Sequence, residues 1–171
     1  MRVLPEISTG HCLLNRILEA DLPALNEIFY DAQTKRFLPE LYSIVDSAEG
    51  VRRFVSTFDS YLDMGEGFLW GIRREDRLAG FVAVMDISDA PTVFYAMHPS
   101  FRSCGYMKES LSGVLEHLGS QNAVEIIFTE VYKENSRSIT LLRGLGFLIG
   151  REDDEKVYMS KTLFCEGGRT E

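Results

Sequence analysis

The chain has 171 residues, 45% of them hydrophobic, enough for one domain with its own core and too apolar for a disordered chain. Its 26 acidic against 18 basic residues give a net charge of −8, which argues against nucleic acid as the main partner. Cys12, Cys104 and Cys165 show no metal spacing, no apolar run reaches membrane-span length, and no basic-then-apolar leader opens the chain; the reading is a reduced, cytoplasmic protein with no metal site, membrane anchor or signal peptide.

Residues 13–18 predict a first strand. Asp21 reads as the N-cap of a helix with Pro23 in its first turn and Leu22, Leu25, Ile28 and Phe29 on its apolar face. Residues 34–43, aromatic and basic around Pro39, read as a loop or broken helix. Asp46 and Glu49 form a capping box ahead of a strongly amphipathic helix (Val51, Phe54, Val55, Phe58, Tyr61, Leu62) that stops near Gly65. Residues 68–74 and 78–87 predict a hairpin about Glu75-Asp76. In the next strand Val93, Tyr95 and Met97 alternate with Phe94 and Ala96, apolar on both faces, and His98-Pro99 ends it with His98 facing solvent. A loop over residues 101–105 leads into a helix marked by Met107, Leu111, Val114, Leu115 and Leu118.

Residues 124–131 predict a further strand, whose helical connection implies a crossover and a parallel pairing. Residues 135–145 follow as a short helix stopped by Gly146. Strands over residues 147–151 and 157–163 close the domain around an acidic turn, and residues 164–171 form a tail. The sum is a single α/β domain over residues 13–163, a mixed, mostly antiparallel twisted sheet of about seven strands with about four helices.

Two stretches carry the chemistry. The first is the strand–loop–helix junction, where successive loop N–H groups and the positive end of the helix dipole form an anion site suited to phosphate. Gly105 permits the sharp turn and close ligand approach, and Arg102 adds a positive charge. The run Arg102-Ser103-Cys104-Gly105-Tyr106-Met107 resembles the acyl-CoA pyrophosphate loop of GNAT-type N-acetyltransferases, [Q/R]-x-x-G-x-[G/A]. It departs from that pattern in Met107, where a small residue is usual, and in Cys104, where a basic one is frequent. The second stretch, Asn135 to Phe147, resembles the family's N-x-x-[S/A]-x-x-L-(L/Y)-x-x-x-G-F, in particular the branch containing ribosomal-protein and other N-terminal acetyltransferases. The two motifs stand in the right order, and the resemblance spans roughly residues 13–163.

The resemblance implies direct acetyl transfer from acetyl-CoA to an amine, either a protein N-terminus or a small molecule such as a polyamine, amino sugar or antibiotic. It implies that residues 102–107 grip the pyrophosphate. It further implies that the strand end Tyr95, Ala96 and Met97 pairs with pantetheine, with the Met97 N–H near the thioester carbonyl. Asn135 bonds the pantetheine arm or caps its helix, two roles that are compatible. Ser138 serves the leaving thiolate or is a second capping hydroxyl. Leu142 stands where many relatives carry a tyrosine acid. Glu130 is the candidate base if burial raises its pKa, and otherwise an exposed strand carboxylate. Tyr95 assists only if it faces the cleft. Phe37 and Tyr42 are candidates to line the acceptor site, and a homodimer through a sheet edge is an open expectation. Two alternatives remain: a non-catalytic acyl-CoA sensor of the same fold, and a nucleotide-binding α/β protein, although the chain has neither a Walker Lys-Ser/Thr pair nor G-x-G-x-x-G.

Overall fold

The computed structural model describes residues 1–164, so Cys165 and the tail beyond it lie outside the described residues. One sheet runs through the domain in the order β1-β2-β3-β4-β5-β6-β8-β7. Its strands are β1 (Ile7–Ser8), β2 (Leu13–Asn15), β3 (Gly67–Arg74), β4 (Arg77–Met85), β5 (Thr92–Met97), β6 (Ile126–Tyr132), β7 (Leu148–Glu152) and β8 (Lys156–Thr162). The helices are α1 (Leu22–Tyr30), α2 (Ala32–Phe37), α3 (Pro39–Tyr42), α4 (Ala48–Met64), α5 (Tyr106–Ser120) and α6 (Ser136–Gly144). The mixed α/β class holds, with one more strand and two more helices among the described residues than expected. The additional strand is β1, too short to show a period of two. The additional helices are α2 and α3, the broken helix split where Pro39 restricts the backbone.

Every strand pairing is antiparallel except β5 with β6. β4 is buried on both faces, as its unbroken apolar run dictates. One face carries α1 and α4 over Leu25, Phe29, Phe54, Phe58 and Phe81; the other carries α5 and α6 over Trp70, Val82, Leu111, Leu118 and Leu142. β5 and β6 meet at a single register pair, Thr92 with Phe128, where the Phe128 N–H donates to the Pro91 carbonyl at 2.8 Å. Beyond that point they part, while β6 keeps its full antiparallel ladder with β8 on its other edge. The separation leaves a free edge in the middle of the sheet.

Several local expectations are corrected. The first strand ends at Asn15, and residues 19–21 form a 3-10 turn. Asp21 does stand at the N-cap of α1, but its carboxylate bonds no amide of that helix: it accepts from the Leu18 N–H at 2.7 Å, at the start of the 3-10 turn, and from Arg73 Nη1 at 2.9 Å. The cap of α4 is Ser47, whose hydroxyl accepts from the Gly50 N–H at 3.0 Å; there is no box from Asp46 and Glu49. Burial pushes the Asp21 carboxyl up, but Arg73 and the Leu18 amide outweigh it and hold it below the ordinary 3.8. A carboxylate lowered in this way contributes stability that is full above its unfolded pKa and lost as pH falls through the folded value. The side chains of Asp21 and Arg73 are 9% and 14% exposed. Arg73→Met strands a buried carboxylate and is expected to cost about 3 kcal/mol in urea unfolding near neutral pH, with a smaller loss in acid.

Candidate active site

The free edge of β5 opens onto a cleft of about 310 Å³. The Pro91 carbonyl points towards β6, whereas the His98 N–H points to β4, bonded to the Ala79 carbonyl at 2.8 Å. Strand alternation between these markers turns the backbone N–H and C=O of Tyr95 and the N–H of Met97 into the cleft, without a ladder partner. These are fixed donors and acceptors, in place before any ligand arrives. Tyr95, Ala96 and Met97 all line the cleft.

The floor at one end is the start of α5. Ser103 at φ 62° and Gly105 at φ 81° are both left-handed, which folds the loop back so that its amides converge. No side chain caps α5 among the described residues, so its first-turn N–H groups stand free for an anion. A Cβ built on Gly105 meets nothing within 4 Å: the protein leaves this side of the loop open. Met107 is buried and packs into the core beneath α5, and it also lines the cleft. Ser103, Gly105 and Tyr106 line the cleft, whereas Cys104 is exposed outside it with its thiol on the Arg102 carbonyl.

Arg102, the positive charge expected beside the loop, is held in an ion pair. Its guanidinium reaches Asp31 Oδ2 at 2.6 Å and Gln33 Oε1 at 3.0 Å, tying the loop to the start of α2. Burial pushes the Asp31 carboxyl up, and Arg102 with the Thr34 and Gln33 amides more than reverses this, leaving it below the ordinary range. Arg102 still lines the cleft, and so does Lys108, which the sequence reading missed. A lysine in the first turn opposes the helix dipole, and that mismatch is the signal that could have found it.

The opposite wall is the start of α6. Asn135 caps it, its Oδ1 accepting from the Ser138 N–H at 3.3 Å, while the residue also lines the cleft. Ser138 Oγ lies 2.5 Å from Tyr95 Oη, so Tyr95 does face the cleft. Leu142 is fully buried in the core. Glu130 lines the cleft near its mouth, where Lys156 contacts both Glu130 Oε1 at 2.8 Å and Glu40 Oε1 at 2.9 Å. Glu130 is exposed, so the burial expected of a base is missing. Partial burial lowers the Lys156 pKa, but its bonds to Glu130 and Glu40 hold it above the ordinary value. His98 is buried rather than solvent-facing: Nε2 meets Glu27 Oε2 at 2.6 Å and Nδ1 accepts from the Ser100 N–H, so it pins the end of β5 to α1.

Thr34 and Phe37 from α2 and Leu38 just after it, with Phe94 from β5, make the remaining wall. Tyr42 is not among the lining residues; it packs on Tyr30 with Lys35 over its ring. The free amides at α5, the open side of Gly105 and the unpaired edge of β5 together suit a long ligand with phosphates at one end and an amide-bearing arm, as acetyl-CoA has.

No helix among the described residues is long and apolar enough to cross a membrane. No curated protein matches the chain in sequence. The chain superimposes on solved structures of similar fold. One is RimL, a ribosomal L7/L12 alpha-N-protein acetyltransferase in complex with coenzyme A, with TM-score 0.81 at 18% identity over 92% of this chain and 98% of that one. Another is the ribosomal-protein-S5-alanine acetyltransferase of Vibrio fischeri, with TM-score 0.75 at 15% identity over 92% and 96%. A third is the microcin C7 self-immunity acetyltransferase MccE in complex with acetyl-CoA and AMP, with TM-score 0.73 at 13% identity over 90% and 93%. The family model described as "Acetyltransferase (GNAT) domain" matches residues 11–148, and the chain belongs to this family as an acetyl-CoA-dependent N-acetyltransferase.

Proposed function

We propose that the acceptor is the α-amine of a protein N-terminus, entering between α2 and β6, with Ser138 serving the leaving sulfur and Glu130 taking the amine proton. One observation carries the residue roles: the Met97 edge, Ser138 and Glu130 line a single cleft. Acetyl-CoA supplies the activated acetyl group. The amides of residues 103–108 and Lys108 hold its phosphates, and the β5 edge with Asn135 orients its pantetheine arm. The Met97 N–H donates to the carbonyl oxygen as charge develops there. Ser138 donates to the sulfur, and Glu130, directly or through water, accepts the proton released by the amine. The Lys156 contact keeps Glu130 at the mouth, where an acceptor arrives. Similar folds described as a ribosomal L7/L12 alpha-N-protein acetyltransferase and as an enzyme that modifies the N-terminal serine of L7/L12 support the choice of acceptor. The same reading places the protein in the cytoplasm, where ribosomal proteins are made.

A peptide panel with varied first residues, run beside polyamines and amino sugars, tests the reading by thiol release. Turnover is expected on peptides with a free α-amine and absent on the same peptides blocked with formyl. Turnover on small amines alone would contradict it. Glu130→Gln is expected to lower kcat/KM by about 100-fold at neutral pH, the ordinary scale for a lost general base.

A further inference from the structure

We propose that Tyr95 is a positioning residue that aims the Ser138 proton at the leaving sulfur, an inference that rests on the reading of Ser138 as the sulfur's donor. The two residues are 43 positions apart in sequence and come from different elements, yet their hydroxyls meet in the cleft. Odd-numbered residues of β5 point to the face that carries α5 and α6, so Tyr95 rises from the sheet beneath the first turn of α6.

Either hydroxyl can donate in this pair; because a phenol is a stronger acid than an alkyl hydroxyl, the proposed arrangement has the Tyr95 O–H donating and Ser138 Oγ accepting. Burial, only partly offset by the Ser138 bond, pushes the phenol up to about 12, so it keeps its proton across the working range. A serine in the first turn of a helix has a competing option, which is to turn and bond a backbone carbonyl. The bond from Tyr95 fixes Oγ on the cleft side and occupies one of its lone pairs, leaving the Ser138 proton to point at a ligand. A donor that is itself accepting a bond is polarised and donates more strongly.

The proton balance is simple. The C–S bond breaks with its electron pair going to sulfur, the N–C bond forms, and the amine proton leaves through Glu130. The thiolate is held by the Ser138 hydrogen bond until solvent protonates it, and Tyr95 finishes with its own proton. The phenol absent from α6 at Leu142 is thus supplied from β5, one hydroxyl further from the sulfur.

The test compares Tyr95→Phe, Ser138→Ala and the double variant by two readouts. One is kcat together with acetyl-CoA affinity. The other is ionisation of the thiol of bound CoA, followed by thiolate ultraviolet absorbance with no acceptor present. Phenylalanine fills the same space, so the fold is retained and thermal unfolding confirms it. Tyr95→Phe is expected to lower kcat about tenfold, about the value of one hydrogen bond, while acetyl-CoA affinity stays within about twofold. It is also expected to raise the pH at which bound CoA ionises, and to cost nothing further in the Ser138→Ala background. Equal losses in both backgrounds, or a loss of affinity rather than of kcat, would make Tyr95 a packing residue and overturn the proposal. If Ser138→Ala slows turnover and Tyr95→Phe does not, positioning alone falls. If Ser138→Ala changes neither kcat nor thiol ionisation, the reading of Ser138 falls and takes the proposal with it.

Discussion

Gly105→Val is expected to weaken acetyl-CoA binding by at least about 100-fold while leaving the protein folded. The reason lies in two separate properties of this position. At φ 81° the backbone is in the left-handed region, where a side chain costs about 1–2 kcal/mol. The protein itself places nothing within 4 Å of the new Cβ, so there is no internal clash to unfold the domain. The side chain instead projects into the space where phosphate meets the α5 amides. Losing two charge-assisted bonds there, at about 1.5 kcal/mol or more each, is about 3 kcal/mol, or the hundredfold stated. Titration calorimetry reads the affinity and urea unfolding reads the stability. A stable variant that binds acetyl-CoA normally would move the phosphate site away from this loop.

Phe81→Ala is expected to cost about 4 kcal/mol of stability, the scale for emptying an aromatic site in a close-packed core. Phe81 is fully buried on β4 and meets Phe29 of α1 at 5.4 Å, Phe54 of α4 at 5.9 Å and Phe94 of β5 at 6.2 Å between ring centroids. The ring therefore joins two helices to the strand that carries the cleft. For a chain of this size, such a loss lowers Tm by roughly 8–16 °C in a thermal scan. A drop of only a degree or two would mean that the helical layer over this face is held by something else. The same variant is expected to impair acceptor use, because α2 follows directly on α1.

The elements that repeat a period were legible in the sequence, and the ones fixed by distant partners were not. β4, α4 and α5 follow from their apolar spacing, and the turn at Gly105 follows from the need for a glycine where a loop folds back. Arg102 was placed in the right loop, but its attachment to Asp31 joins residues 71 apart, which no local pattern reveals. His98 looked solvent-facing because it precedes a proline; its burial is set by Glu27 on α1. Asp21 had the composition of a cap for α1, yet its carboxylate is drawn back to the Leu18 N–H and to Arg73, a partner 52 positions away. Tyr95 read as a strand aromatic because alternation gives only a face, and the opening of β5 from β6 turns that face into a wall of the cleft. Glu130 was expected to need burial, whereas the structure sets it at the mouth beside Lys156.

The most direct test of the account is backbone amide NMR during titration with acetyl-CoA. The account predicts the largest shifts at the amides of residues 103–108, at Tyr95 and Met97, and at the start of α6, with the outer strands β1 and β7 little changed. Shifts confined to other surfaces, or binding that leaves the α5 amides and Met97 unmoved, would contradict it.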